Sequence, residues 1–484
     1  MTIPLVLIHG YSDSSKGFKL WREALIQKRN LDPAKVHLLN YVSLANEVTI
    51  RDIAEGFDRA LAKEAGLATD EPFDAIVHST GMLVIRAWLT RFASMKGRPN
   101  RLRHLVALAP ATNGSPVAHK GRSWMGALLK GSKDFGPDFM EAGDEVLLAL
   151  ELASRFTWDL AERDMFGDGN TDRFKKGPDS PYVFTICGDS GLGEVADFFT
   201  GVVGTKIDGS DGVVRWAGAT LNSRRLLFDY TERTEPSINT GAANGMITKV
   251  SEWSNQDNIV VLWPRLNHGT IMKPKSTDSI VSLVSEALDV KEDKDFNAWN
   301  EKATKAAKDA RGSQEPPASW QQFVIRVVDE RGDGVNDWTI GLVVKMKNQF
   351  SYKAVNVDDL HPYEKDKSYR CLHLNLTEAG LDDKQVLENI EAFKMNLYMN
   401  TNSSYVVYVA QQLEGPASSE NTITGMSELT VDLTKWLKPD NKEFVLTMPY
   451  TTTFVEFRVN RDLTVSGNQA KVCHLEPLED KARQ

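Results

Sequence analysis

The stretch that most constrains what this chain can fold into runs from Phe73 to Trp88. Ala75, Ile76 and Val77 form a short apolar run rich in β-branched residues, the pattern of a buried strand. From Thr80 the period changes: Leu83, Ala87 and Trp88 recur at helical spacing, in a helix expected to reach about Ser94. Ser79 sits at the change, between His78 and Thr80, with Gly81 two residues on. A sharp turn there lifts the serine hydroxyl clear of the sheet and leaves the Thr80 amide at a helix start, aimed at any developing oxyanion. A polar turn capping a helix would read the same way, since Ser and Thr are favoured caps. The remainder of the chain has to separate the two.

Strands and helices alternate around this stretch. Leu5-Val-Leu-Ile8 is a buried strand ending in His9-Gly10-Tyr11, and Gly10 permits close backbone approach there. Phe18, Trp21 and Leu25 mark a helix, Val36 to Leu44 a strand, and Ile53, Phe57, Ala60 and Leu61 an amphipathic helix. His104 to Pro110, Tyr182 to Cys187 and Ile259 to Leu262 are further strands, and Thr277 to Val290 a closing helix. This alternation implies a parallel sheet covered on both faces, with ligands beyond the carboxyl ends of its strands. His9, Ser79 and Pro110 all follow strands and share that edge.

The alternation stops at Asn113-Gly-Ser-Pro116, and residues 116–178 form an insertion placed to cap the sheet edge. Trp124, Leu128 and Leu129 suggest a short amphipathic helix, and about Gly143 to Arg163, with Val146, Phe156 and Leu160 among its apolar residues, a second. As a mobile lid, this apolar face would meet an acyl chain, with Trp124, Leu128 and Phe156 as its substrate-binding candidates. A fixed cap packed into the core is the alternative. Asp164 to Asp172 alternates carboxylates with glycines but lacks the twelve-residue calcium-loop spacing, so no metal is expected.

A serine hydroxyl needs a general base, and the base needs an acid to fix its tautomer. His268 follows the last strand of the alternating part, in Asn267-His-Gly269. For the acid, Asp211 in Gly209-Ser-Asp-Gly-Val-Val214 competes with Asp208 and with Asp189; Asp189 lies closer to its strand, but the Asp-Gly-Val-Val context of Asp211 is the stronger match. Ser79, then a carboxylate, then His268, each beyond a strand end, is far more specific than any one of them. The backbone amides of Tyr11 and Thr80 are the candidate oxyanion donors, and His9 and His78 beside them are expected to be structural. Gly188-Asp-Ser-Gly191 matches a trypsin-type nucleophile signature but occurs outside the all-β context that signature needs.

These residues resemble the α/β-hydrolase superfamily, and within it the bacterial lipase-like serine esterases. The matching segments are Leu7-Ile-His-Gly-Tyr11, Val77-His-Ser-Thr-Gly81, Asn113-Gly-Ser-Pro116, Ser210-Asp-Gly-Val-Val214 and Asn267-His-Gly269, within residues 1 to about 290. The resemblance implies hydrolysis of a carboxylic ester through an acyl-enzyme on Ser79, with no cofactor. One position departs: the family's Gly-x-Ser-x-Gly has Val77 in place of its first glycine.

Beyond the α/β part, residues 1–292, a polar helix and linker are expected over 293–319. From 320 to 484 the period becomes two, with strand-like runs Phe323–Val328, Trp338–Val344, Tyr369–Leu376, Phe393–Tyr398, Tyr405–Val409 and Phe444–Val459. This reads as a separate all-β, sandwich-like accessory domain, open to a protein partner.

The net charge of −9 argues against a nucleic-acid binder. No run approaches the roughly 18 apolar residues of a membrane span, and Met1 leads at once into a strand, with no secretory signal to read. Three scattered cysteines point to a reducing compartment by default. A cytoplasmic protein, or one exported without an N-terminal signal, follows, with at most transient contact with a membrane surface. The expected activity is therefore lipase, phospholipase or esterase. A fold retained for binding without catalysis, and an antibacterial lipase effector toxin, are the alternatives.

Overall fold

The computed structural model describes residues 3–11, 15–67, 71–94, 98–118, 143–167, 173–174, 180–191, 207–231, 247–403, 405–410, 426–437 and 445–463. Strands β1 (Leu5–Ile8), β2 (Val36–Leu39), β3 (Phe73–His78), β4 (Leu102–Leu108) and β5 (Tyr182–Gly188) are joined by β8 (Val260–Trp263) in one sheet. Its order is β2-β1-β3-β4-β5-β8, and every pair is parallel. Strands β6 (Ser223–Asp229) and β7 (Ile247–Val250) belong elsewhere.

Side chains along the parallel strands alternate between two cores, as a strand period of two requires. Val6, Ile8, Ala75 and Val77 face helices α2 (Ile50–Lys63), α3 (Gly81–Trp88), α4 (Asp144–Leu150) and α5 (Arg155–Asp164). Leu5, Leu7, Ile76 and Val106 face α1 (Lys19–Arg29), α6 (Ser279–Ala287) and α7 (Asp293–Arg311). Helix α7 reads as polar in sequence, yet it buries Phe296, Trp299, Ala303 and Ala307 against this second core. Its four apolar positions form a narrow stripe on an otherwise charged helix, so composition alone hides its role.

The second half supplies β9 (Trp320–Asp329), β10 (Trp338–Met346), β11 (Lys353–Val355), β12 (Asp358–Pro362), β13 (Tyr369–Asn375), β14 (Ile390–Asn400), β15 (Val406–Val409), β16 (Met426–Asp432) and β17 (Thr451–Leu463). A four-stranded sheet, β11-β10-β14-β16, packs on a seven-stranded one ordered β12-β13-β9-β17-β6-β7, with β15 on the end of β17. Leu226, Phe228, Ile325 and Phe457 from the larger sheet meet Leu342, Phe393 and Leu397 from the smaller, which is the expected sandwich core.

The expectation of a separate accessory domain needs correction. Strands β6 and β7 come from the α/β half of the chain, and β6 lies parallel to β17, Ser223 opposite Thr452. The other face of the seven-stranded sheet, carrying Trp320, Val324, Tyr369 and Phe454, belongs to the same core as α3 and α5. Trp158 of α5 packs edge-on against both Tyr369 and Phe454, each at 5.5 Å between ring centres. A boundary at 293–319 therefore divides the chain but not the cores.

Candidate active site

The turn at Ser79 has the geometry its position in the sequence suggested. Ser79 adopts φ 51°, a left-handed conformation that side-chain-bearing residues rarely take. The strain is held by hydrogen bonds on both sides: the Ser79 amide donates to Leu108 O at 3.2 Å, and Ala111 N donates to Ser79 O at 3.2 Å. Two glycines give the turn its space. A Cβ on Gly81 would stand 2.6 Å from Ile8 O, and one on Gly10 would stand 2.9 Å from the Ser79 Cβ. Val77 does not disturb this packing. It is wholly buried, and its register neighbours are Ile8 on one side and the small Ala107 on the other.

His268 and Asp211 are joined twice. His268 Nδ1 lies 3.0 Å from Asp211 Oδ2, and the His268 amide donates to Asp211 O at 3.0 Å. The Asp211 carboxylate is completely buried, and its second oxygen accepts from Val213 N at 3.0 Å and Val214 N at 2.8 Å. That contact explains the Asp-Gly-Val-Val run: Gly212, at φ 98°, folds the chain back so that two amides reach the acid's own side chain. Asp189 is committed differently, accepting from Arg311 at 3.1 Å and from Arg265 N at 2.9 Å.

His78 ties the serine turn to the histidine loop. Its Nε2 donates to His268 O at 3.1 Å, and the two rings are 4.7 Å apart. Burial, then the charge His268 can carry, push the His78 pKa well below the ordinary histidine value, so it stays neutral. Sequence reasoning assigned His78 a structural part without finding this contact. His9 stacks on Tyr41 at 4.1 Å between ring centres, and the Tyr41 hydroxyl donates to His9 O at 2.7 Å. Tyr11 and Thr80 are both buried beside the serine turn, on the β1 loop and at the start of α3 respectively.

The acid loop is gripped by the second half of the chain, which the sequence did not indicate. At Gly209 (φ 67°) a Cβ would stand 2.7 Å from the indole of Trp320, the first residue of β9. The Arg215 guanidinium lies 5.5 Å from the same ring and pairs with Asp358 of β12 at 2.8 Å. Thr452 Oγ1 donates to Ala217 O at 3.1 Å, and Thr220 Oγ1 to Tyr450 O at 2.9 Å.

The described part of the insertion packs into the core of the α/β half. Val146, Leu150, Trp158, Leu160 and Ala161 are buried, and Asp164 makes a two-pronged ion pair with Arg86 of α3 at 2.8 and 2.9 Å, wholly out of solvent. Phe156 is half-buried, with the Arg51 guanidinium 5.8 Å from its ring centre. Trp124, Leu128 and most of the Asp164–Asp172 loop lie outside the described residues. A groove of about 740 Å³ between β2 and α2 reaches Tyr41, but neither Ser79, Asp211 nor His268 lines it. Among the described residues no cluster of three or more His, Cys, Asp or Glu could hold a metal ion, and no helix is long and apolar enough to cross a membrane.

A parallel sheet of this order with a left-handed serine after its third strand is the α/β-hydrolase fold. Over nearly its whole length the chain is similar to phospholipase PlaB from Legionella pneumophila. The TM-score is 0.73, with 20% identity and 98% of each chain covered. A second structure of that protein, in complex with thio-NAD, matches at a TM-score of 0.72 with the same identity and coverage. Lipase BlEst2 from Bacillus licheniformis superposes more loosely, at a TM-score of 0.36, 15% identity, and 59% of this chain against 91% of its own. At these identities the likeness shows the fold. No protein-family model and no curated protein sequence matches the chain.

Proposed function

We propose that the protein is a serine hydrolase of lipid carboxylic esters, with Ser79 as nucleophile, His268 as general base and Asp211 as the acid that orients it. The observation that carries this reading is the left-handed Ser79, a conformation costing of order 1–3 kcal/mol and characteristic of functional turns. The buried Asp211–His268 pair, linked to the same turn through His78, supports it. So does the overall likeness to a protein named as a phospholipase.

In the proposed reaction Ser79 Oγ attacks the ester carbonyl carbon while its proton passes to His268 Nε2. The carbonyl oxygen becomes an oxyanion that accepts from the Tyr11 and Thr80 amides, the latter in the first turn of α3 where amides have no helical partner. The alcohol leaves with the proton from His268, and water, deprotonated by the same ring, releases the acid and regenerates Ser79. Asp211 accepts from Nδ1–H throughout and stabilises the imidazolium.

The test is hydrolysis of p-nitrophenyl esters of increasing acyl length and of phospholipids, together with labelling by a fluorophosphonate probe. Ser79→Ala is expected to abolish both turnover and labelling, and Asp211→Asn to lower kcat by about 10³–10⁴ by removing the acceptor that sets the tautomer. Turnover that survives Ser79→Ala overturns the assignment.

A further inference from the structure

The hairpin between β10 and β11 has a feature that the hydrolase reading leaves unused. Every residue from Lys347 to Ala354 is exposed, and at the tip the Phe350 side chain stands wholly in solvent. Tyr352, two residues on, is also exposed, with Lys394 Nζ 4.9 Å from its ring centre. The tip is an ordered turn: Lys347 N donates to Asn389 O at 2.9 Å and Gln349 N to Met346 O at 2.9 Å.

Its charge is opposite to that of the molecule. From Trp338 to Val357 there is no Asp or Glu, while Lys345, Lys347 and Lys353 are present, in a chain of net charge −9. Lys345 is engaged with Glu391 at 2.7 Å, and Lys347 and Lys353 flank the aromatic tip on the two arms of the hairpin.

An exposed aromatic pair on a convex tip, bracketed by lysines, matches a bilayer interface better than it matches a protein. A stable protein contact needs about 600 Å² or more from each side, which one turn with two rings does not provide. A bilayer accepts a projecting tip, takes aromatic rings at its headgroup level and, when anionic, attracts lysines beside them. The tip is also tethered near the chemistry. Asp358 lies eight positions beyond Phe350, at most about 28 Å of extended chain, and is paired with Arg215 of the acid loop at 2.8 Å.

We propose that the Lys347–Lys353 hairpin tip is a docking surface for anionic phospholipid bilayers. Phe350 and Tyr352 enter the interfacial layer, and Lys347 and Lys353 meet the headgroups. The choice of a bilayer as the occupant rests on the lipid-ester reading, but docking is measurable without turnover.

The experiment uses the full chain carrying Ser79→Ala, sedimented with phosphatidylcholine vesicles with and without phosphatidylglycerol. Binding is expected to be stronger to the anionic vesicles and to weaken with salt. Phe350→Ala/Tyr352→Ala is expected to weaken binding about tenfold or more, and Lys347→Gln/Lys353→Gln about tenfold on anionic vesicles alone. A Phe350→Trp variant is expected to shift its emission to the blue and to be quenched by brominated lipid. Neither double variant is expected to alter hydrolysis of a soluble short-chain ester in the Ser79 form. If that hydrolysis is absent altogether, the hydrolase reading fails while vesicle binding still stands. The docking proposal is overturned if the parent does not sediment with vesicles, if the aromatic double variant binds as the parent does, or if Phe350→Trp is blind to lipid. It is equally overturned if the aromatic variant loses self-association in analytical ultracentrifugation while its vesicle binding is unchanged.

Discussion

One hydrogen atom in place of a methyl group sets how closely α3 approaches β1. Gly81→Ala would place its Cβ 2.6 Å from Ile8 O, a backbone atom in a buried strand that cannot step aside. The expected result is a loss of about 2–3 kcal/mol in stability, read as a lowered denaturant midpoint, together with reduced esterase rate because the Ser79 turn must shift. This glycine was legible from its spacing to the serine. The accommodation of Val77 was not, because it depends on Ala107 across the sheet, a neighbour that no local pattern identifies. Asp211 is favoured over Asp189 by its run of residues, and in the structure it lies 3.0 Å from His268 Nδ1 while the Val213 and Val214 amides of that run fold back onto its other oxygen.

Elements show a different balance. The strands and helices of the parallel sheet were readable because each is apolar on the face or faces it buries, within a few residues of chain. Strand β6 was not: Arg224 and Arg225 interrupt its apolar pattern, and the partner that makes it a strand is β17. The contact between the acid loop and β9 was hidden for the same reason. Trp320 packs on Gly209 and Arg215, a few residues either side of Asp211, where a positioning residue for the proposed acid would sit. Trp320→Ala is expected to lower kcat for a soluble ester by about 10-fold or more with KM little changed, since a small displacement of a supporting group costs rate rather than binding. Trp320→Phe, which keeps a ring against Gly209, is expected to recover part of the loss. An equal fall in activity and melting temperature for both variants would assign Trp320 to stability alone.

At the scale of the molecule the buried histidines set a response to acid. His373 of β13 is fully buried, its Nε2 donates to Gln322 Oε1 at 2.9 Å, and burial, then the nearby Arg215 charge, hold its pKa well below the ordinary value. His78 is held neutral in the same way. For a group depressed in the folded state, the unfolded chain takes up its proton first. Stability is therefore full above the ordinary histidine pKa near 6.5 and falls as pH drops from there toward the folded values, by up to about 1.4 kcal/mol per pH unit for each group. Denaturant titrations from pH 8 to 5 are expected to show that decline, and His373→Gln to make it shallower. A decline as steep in the variant as in the parent would remove His373 from the account.

The pairing of β6 with β17 also sets a clock on biosynthesis. A strand completed at Asp229 waits for a partner made about 230 residues later, which at usual ribosomal speeds is roughly 10 to 45 s. Until then the β6–β7 pair displays a raw edge, and the loop carrying Asp211 has nothing from β17 to lean on. Such a chain emerges from the ribosome with its candidate site unsupported on one side. On the proposed reading, ester hydrolysis would begin only after β17 has been made and paired.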